Sequence, residues 1–206
     1  WIPAGAFCQV WVALPRHAPV EVDQQEARQV EPPHEELLER DADAHRTIGG
    51  DFFDYLQAAG DKDRIGVVIG DAASKGLSAA AQALYVSGAL RMGVEYQTKM
   101  DTFISKINRL VNKTFTTEHF LSMVYIELTT NEKGLIFYVN AGHSNPILLR
   151  DKTDDVELLP ATGQILGPFP NEKYKTDFTV MRKGDVLLLY TDGITEAANE
   201  ESEMYG

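Results

Sequence analysis

Two aspartates follow apolar segments in a pattern that could hold a metal ion. IGVVIGD, residues 65 to 71, is mostly apolar and ends on Asp71, and GDVLLLYTDG, residues 184 to 193, leads to Asp192 in the same way. An Asp-Gly pair usually forms a turn, and an Asp before a helix often caps it. Two strand ends that each deliver a carboxylate are also typical of sites for hard divalent cations. For each residue taken alone, both interpretations stay open.

A third acidic motif, GGDFFD, contains Asp51 and Asp54 after paired glycines. Glycine lets one backbone approach another closely. In a strand, side chains three positions apart face opposite sides, so the two aspartates are predicted to have different roles. GDAASKG lacks the spacing of a phosphate-binding loop. Tyr190 stands where a haloacid-dehalogenase motif, D-x-D-G, needs its first aspartate.

The composition favours an acidic protein without a nucleic-acid role. The chain has 31 acidic and 19 basic residues and a net charge of −12; phosphate backbones attract positive surfaces instead. Cys8 is the single cysteine, so no internal disulfide is possible, which favours a reducing compartment and predicts a cytoplasmic location. No run approaches the roughly 20 apolar residues that span a bilayer, so no membrane segment is predicted.

The composition changes near residue 46. Residues 1–46 contain no Lys and no Asn, whereas all ten Lys and all seven Asn lie in residues 47–206. We interpret residues 1–45 as a linker, a foreign segment or an unreliable stretch with no assigned function. Residues 46–206 are predicted to form the folded domain, since this length suits one well-cored unit.

The domain is predicted to be α+β. FFDYLQAA and RIGVVIG are typical of paired strands, and two helical segments follow, SKGLSAAAQALYVSGALRMGVEYQ and MDTFISKINRLVNKTFTT. Four strand-like runs come next, FLSMVYIEL, LIFYVNA, PILLR and VLLLY. This order predicts a layered sandwich with largely antiparallel sheets instead of a doubly wound parallel sheet. The predicted buried face is Leu77, Ala81, Leu84 and Gly88 for the first helix, and Phe103, Ile107, Leu110, Val111 and Thr114 for the second.

Taken together, the motifs resemble one protein family. GGDFFD, GDAASKG, FLSMVYIEL, YVNAGHSNPILLR, GQILGPF and GDVLLLYTDGITEA occur in the order and spacing of bacterial metal-dependent protein serine phosphatases of the SpoIIE/RsbU type, relatives of eukaryotic protein phosphatase 2C. The resemblance covers residues 46–206. It implies a protein phosphatase 2C-like α-β-β-α sandwich of two largely antiparallel sheets flanked by helices. The family continues through a further helix and a strand with one more metal-binding Asp, so we expect residues 46–206 to be a truncated domain.

The resemblance also implies an activity and its residues. The family hydrolyses phosphoserine or phosphothreonine in proteins at two Mn²⁺ or Mg²⁺ ions, and two such ions lower the pKa of a shared water. Asp71 would bridge both metals and the carbonyl of Ala72 would bind one. Asp192 would bind the other, and Asp51 would hold a metal or its waters. Arg46 would bind the substrate phosphate.

Two positions depart from the family pattern. Ser74 stands where the family usually has glycine, and a left-handed backbone there would cost about 1 kcal/mol. Ala73 occupies the position at which eukaryotic relatives carry a histidine, so the general acid is unassigned.

Four further polar residues are predicted to have structural roles or to be solvated. His143 is expected to be hydrogen-bonded in a tight turn in preference to acting as a general base, and His119 to be structural or exposed. Lys75 is expected to be solvated, and Glu196 to lie in a turn or behind a metal ligand.

The leading hypothesis is a metal-dependent phosphatase. By resemblance, its substrate is a phosphorylated anti-sigma factor antagonist, its parent chain carries an upstream sensor domain, and a homodimer is possible. The alternative is a non-catalytic binding or dimerisation module that keeps the fold. A domain that chelates metal for structure alone ranks last, because it would not explain the AGHSNP and GQILGP loops.

Overall fold

The computed structural model describes residues 9–13, 49–57, 64–74, 76–96, 99–116, 118–129 and 134–195, and for residues 9–13 only the backbone. Within these ranges the chain forms nine strands and two helices. Their bounds are β1 Gln9–Ala13, β2 Phe52–Leu56, β3 Arg64–Ala72, α1 Leu77–Val94, α2 Met100–Thr114, β4 Leu121–Thr129, β5 Leu135–Ala141, β6 Ile147–Leu149, β7 Val156–Leu158, β8 Asp177–Val180 and β9 Val186–Tyr190.

The strands form two antiparallel sheets. The first sheet has four strands in the order β1-β9-β6-β7, and the second has five in the order β2-β3-β4-β5-β8. Every strand pair is antiparallel. α1 and α2 pack on the five-stranded sheet, against β2, β3 and β5. The prediction of an α+β sandwich with largely antiparallel sheets is therefore confirmed.

The central strands of the five-stranded sheet, β3 and β4, are buried on both faces, and their alternate residues point to opposite sides. In β3, Val68 and Ala72 join the core beneath the helices, whereas Val67 and Ile69 join the core between the sheets. A strand that is buried on both faces reads as a continuous apolar run. This is why IGVVIG shows no alternation of apolar and polar residues.

The predicted buried face of α1 is wrong. Leu77 and Leu84 are 72% and 75% exposed, and an added Cβ on Gly88 would meet no atom within 4 Å. The helix instead buries Ala79, Gln82, Ala83, Val86 and Leu90. α1 itself carries small or apolar side chains on every face. Their spacing alone therefore did not distinguish the core face from the solvent face.

The predicted face of α2 is largely confirmed. Phe103, Ile107 and Val111 are buried, together with Met100, Ile104 and Asn108. Thr114 is exposed, and its hydroxyl hydrogen-bonds the Tyr85 hydroxyl at 3.0 Å. α2 alternates apolar and charged residues at helical spacing, so its core face was readable from the sequence.

Short strands and part of the N-terminal segment add to the predicted elements. β7 and β8, with three and four residues, were not predicted. Within the segment assigned no function, residues 9–13 form β1, which pairs with β9 from Gln9↔Tyr190 to Ala13↔Val186. The boundary at residue 46 lies outside the described residues and stays a prediction. No helix in the described ranges is long and apolar enough to cross a membrane.

Candidate metal centre

Two of the predicted site aspartates meet at one end of the β2–β3 pair. Asp71 is the next-to-last residue of β3, and Asp51 directly precedes β2, whose Phe52 is paired with Gly70. Ala72 N–H donates to Gly50 O at 3.2 Å. A Cβ on Gly50 would lie 2.6 Å from Ala72 O, so only glycine permits this approach. The glycine before Asp51 therefore has the close-packing role that the sequence predicted.

The third aspartate arrives from the other sheet. Asp192 follows β9 by two residues, and the intervening Thr191 is fully buried. The Thr191 hydroxyl donates to Asp51 Oδ2 at 2.8 Å, across 140 residues of sequence. This bond brings the end of β9 against the β2–β3 pair. Thr191 was not among the predicted site residues, although its place beside Asp192 in YTDG was a usable signal.

The three carboxylates interact electrostatically, and the pKa of Asp71 is raised to about 7. Burial is the main cause, followed by the charge and hydrogen bond of Asp51 and the charge of Asp192; the backbone of Ala72 opposes the shift. Burial also raises the pKa of Asp51, against hydrogen bonds from Thr191 and Asp71. In the described part of the chain, no basic side chain contributes to either shift. The cluster therefore carries negative charge that a cation would neutralise.

The donor atoms fit a hard divalent cation. Carboxylate and backbone carbonyl oxygens are the ligands that Mg²⁺ and Mn²⁺ prefer. Because the pKa of Asp71 is raised to about 7, a proton partly neutralises this carboxylate near neutral pH in the absence of a cation. No group of three or more His, Cys, Asp or Glu in the described ranges lies close enough to form a ready-made single-ion site. The cluster of Asp51, Asp71 and Asp192 is therefore held together across two sheets by electrostatic interaction and is wider than the ligand set of one ion.

The carbonyl of Ala72 lies in the turn after Asp71 and accepts the Ser74 N–H at 2.7 Å. Ser74 does not have a positive φ, so the cost that a left-handed backbone would bring does not arise at this position. Its hydroxyl instead accepts a hydrogen bond from Gln82 Nε2 at 2.6 Å. Gln82 is 1% exposed, so α1 holds the turn that carries Ala72.

Asp54 has different surroundings from Asp51, as predicted. It is buried on the helix-facing side of β2 and forms an ion pair with Arg91 Nε at 2.6 Å. Arg91 Nη2 also donates to Asp54 Oδ1 at 2.6 Å. This pair joins β2 to α1 and contributes no ligand to the Asp51–Asp71 region.

Both histidines of interest are hydrogen-bonded, which was predicted for His143, whereas His119 was predicted to be structural or exposed. His119 Nδ1 and the Thr116 hydroxyl are 2.6 Å apart. His143 is buried. Its backbone N–H donates to Asn140 Oδ1 at 2.8 Å, and its ring Nδ1 lies 2.8 Å from Ser122 Oγ. Burial lowers the pKa of His143 to about 4, against the opposing effects of Asp192 and the Tyr190 backbone. The charge of Asp192 therefore acts on His143, an interaction that the prediction of a turn residue did not include.

Three predicted residues lie outside the described ranges: Arg46, Lys75 and Glu196. Their roles stay predictions.

Comparison with known proteins identifies the family. Residues 61–206 match the family described as Stage II sporulation protein E (SpoIIE). The chain is 28% identical to Protein IcfG of Synechocystis sp., over 78% of this chain and 29% of that protein. It is 27% identical to phosphoserine phosphatase RsbU of Bacillus subtilis, over 82% of this chain and 50% of that protein. The chain thus spans half or less of the length of these relatives.

Solved structures agree. The RsbU and RsbW domains of Rv1364c from Mycobacterium tuberculosis align with a TM-score of 0.63 at 27% identity, covering 74% of this chain and 42% of that one. The SiaA-PP2C domain of Pseudomonas aeruginosa aligns with a TM-score of 0.65 at 14% identity, covering 96% of this chain and 66% of that one, which shows the shared fold. The chain therefore belongs to the SpoIIE family and has the protein phosphatase 2C fold.

Proposed function

We propose that the protein hydrolyses phosphoserine or phosphothreonine in a partner protein, with the help of two Mn²⁺ or Mg²⁺ ions. The observation that carries this proposal is the meeting of Asp51 and Asp71 from one sheet with Asp192 from the other. These carboxylates interact closely enough that burial, Asp51 and Asp192 together raise the pKa of Asp71 to about 7. Such a cluster is unfavourable without positive charge and suits divalent cations.

Each residue has a distinct part in this mechanism. Asp71, Asp192 and the carbonyl of Ala72 would hold the cations, and Asp51 would hold a cation or its waters. When bound, the cations supply an activated water and neutralise charge on the phosphoryl group. Thr191 holds Asp51 in its orientation through the 2.8 Å hydrogen bond. Arg46 would bind the phosphate oxygens, since a guanidinium matches them in charge and geometry.

Phosphoryl transfer needs positioning and electrostatic stabilisation more than covalent chemistry from the protein. The geometry suits that requirement, because the aspartates lie at or next to strand ends. Rigid elements hold carboxylates better than free loops against their mutual repulsion. The fold therefore supplies the positioning of the carboxylates that this reaction needs.

The substrate we propose is a phosphorylated regulatory protein of the anti-sigma factor antagonist type, and the site of action is the cytoplasm. Two observations support this: one relative is the phosphoserine phosphatase RsbU, and a solved relative contains RsbU and RsbW domains. An upstream sensor domain in the parent protein and a homodimer belong to the same proposal.

A second candidate is a binding or dimerisation module that keeps the phosphatase fold. The observation that favours it is the exposed apolar side of α1. Leu77, Leu84 and Met92 are each more than 70% exposed, and surfaces of this kind often bind other proteins. The presence of all three aspartates favours the enzyme.

Hydrolysis of p-nitrophenyl phosphate and of a phosphoserine peptide with Mn²⁺ would test the proposal, beside Asp71→Ala and, as a control, Asp154→Asn. Asp154 is exposed and has φ 55, a conformation that asparagine tolerates. We expect Mn²⁺-dependent turnover that Asp71→Ala removes and Asp154→Asn leaves intact. A folded parent protein that includes the family's final helix and strand and shows no turnover would favour the binding module.

A further inference from the structure

His143 lies where the two sheets meet, and it contacts both. On one side, its Nδ1 is 2.8 Å from Ser122 Oγ. Ser122 belongs to β4 and is the register partner of Asp71 on β3. On the other side, the imidazole interacts with the backbone of Tyr190, the last residue of β9, and the charge of Asp192 reaches it. The ring therefore links β4, next to Asp71, with the end of β9 that leads to Asp192.

Two neighbouring residues, Gly142 and Asn140, fix the backbone of His143. Gly142 has φ 69, which permits the tight turn after β5, and a Cβ there would lie 2.6 Å from Ile165 Cγ2. The Asn140 side chain accepts a hydrogen bond from the backbone N–H of His143 at 2.8 Å and donates one to the backbone carbonyl of His143 at 3.2 Å. Asn140 is itself fully buried. The backbone position from which the His143 ring projects is thus fixed by contacts within the protein itself.

The second ring nitrogen, His143 Nε2, is buried and makes no hydrogen bond of normal geometry with a described residue. The ring nevertheless interacts with the Tyr190 backbone. A buried polar atom with an imperfect hydrogen bond costs free energy. That cost falls on the side chain that links β4 with the end of β9.

We propose that Ser122 and His143 form a positioning pair that sets the distance between Asp71 and Asp192 for cation binding. The pair touches no substrate. It acts through the two aspartates, as residues behind metal ligands commonly do. The inference rests on the proposed function, because it assumes that both aspartates bind the same pair of cations.

The test is the affinity for Mn²⁺, measured by titration calorimetry on the wild-type protein, Ser122→Ala, His143→Ala and His143→Asn. Loss of a residue behind a metal ligand typically weakens metal binding about 10–100-fold, and we expect losses of this size for the two alanine variants. In His143→Asn, the amide takes the place of Nδ1 beside Ser122, so most of the affinity should return.

Thr129→Val is the matched control for Ser122→Ala. Both substitutions remove a hydroxyl from β4, but Thr129 lies at the opposite end of the strand. Its hydroxyl accepts the Leu135 N–H at 2.8 Å and donates to Leu135 O at 3.2 Å. We expect Thr129→Val to lower stability without changing Mn²⁺ affinity.

A second readout needs no metal. With EDTA present, amide hydrogen exchange at residues 191–193 should quicken in Ser122→Ala and stay unchanged in Thr129→Val, because the end of β9 loses its support only in the former. If His143→Ala does not fold, Ser122→Ala still decides.

The outcomes separate the two proposals. Wild-type protein that binds Mn²⁺, with Ser122→Ala binding it equally well and exchanging at the same rate, would overturn the positioning role alone. Folded wild-type protein that binds no Mn²⁺ would overturn the proposed function and the positioning role with it.

Discussion

Asp71 experiences the strongest electrostatic penalty that we find among the clustered carboxylates. Burial raises its pKa to about 7, with the charges of Asp51 and Asp192 adding to the effect. A residue retained under such conditions serves function at the expense of stability. The metal-free protein should therefore gain stability when the carboxyl is removed.

We expect Asp71→Asn to stabilise the metal-free protein by about 1–2 kcal/mol at pH 8. The value is well below the full electrostatic penalty, because the side chain is half exposed and solvent screens its charge. Urea unfolding with EDTA would measure it, beside Asp154→Asn as an exposed control. Added Mn²⁺ should stabilise the wild type and not the variant. A destabilised metal-free Asp71→Asn would contradict the electrostatic account.

Asp185 is the opposite case, a buried carboxylate with ample partners. Burial alone would raise its pKa, but N–H groups of Arg182 and Asp151 and the guanidinium of Arg150 outweigh burial and lower it. Arg150 Nη1 donates to Asp185 Oδ2 at 2.8 Å, and the Arg182 N–H donates at 2.9 Å. The ionised form thus stabilises the turn before β9.

We expect Asp185→Asn to cost about 1.5–3 kcal/mol at pH 7, because the carboxylate loses charge-assisted hydrogen bonds with Arg150 and the Arg182 N–H, although Arg150 keeps its ion pair with Glu157. The pKa of Asp185 is lowered on folding, so its contribution is complete above the ordinary pKa, about 4, and disappears as the pH falls through the lowered value. Unfolding measured at pH 7 and near pH 3 should show a smaller difference between variant and wild type at the lower pH. An equal difference at both values would contradict this assignment.

At the scale of elements, α1 shows most clearly that burial and hydrophobicity are different properties. Leu90 is fully buried, whereas Leu84, on the same helix, is 75% exposed. Gln82 is buried in place of a leucine, because its amide donates to the Ser74 hydroxyl at 2.6 Å. The helix orientation is therefore determined partly by the turn that follows Asp71.

The two leucines provide a matched pair of substitutions. Leu90→Ala should cost about 2–5 kcal/mol, because it leaves a cavity beneath the helix. Leu84→Ala should stay within about 0.5 kcal/mol of the wild type, since it removes no buried contact. Equilibrium denaturation of both variants would measure these values. Similar losses for the two would mean that Leu84 is buried, either within the fold or against a partner.

At the scale of the whole molecule, the site depends on contacts between segments that are far apart in sequence. Asp51 and Asp71 belong to the β2–β3 pair, and Asp192 follows β9 in the other sheet. The hydrogen bond between Thr191 and Asp51 spans 140 residues. Cation binding would therefore report on the packing of the two sheets, not only on local structure.

Much of this arrangement was predictable from the sequence. The apolar runs identified β3, β4, β5 and β9, and the motif order placed Asp51, Asp71 and Asp192 at or next to strand ends. The three-residue β7 was not predictable, because so few residues establish no period. Nor was the contact of Ser122 with His143, which depends on strand register and on a turn between distant segments.

The measurement that tests the central claim most directly is phosphoserine-peptide hydrolysis over a Mn²⁺ titration, for the wild type and Asp192→Asn. Asp192 alone of the three aspartates comes from the four-stranded sheet, so its substitution asks whether both sheets serve one centre. We predict that Mn²⁺ activates the wild type saturably. For Asp192→Asn we predict a loss of at least about 100-fold in turnover at the same Mn²⁺ concentration, because bound metal ions supply several kcal/mol of transition-state stabilisation. Turnover that persists in EDTA, or that Asp192→Asn leaves undiminished, would contradict the account.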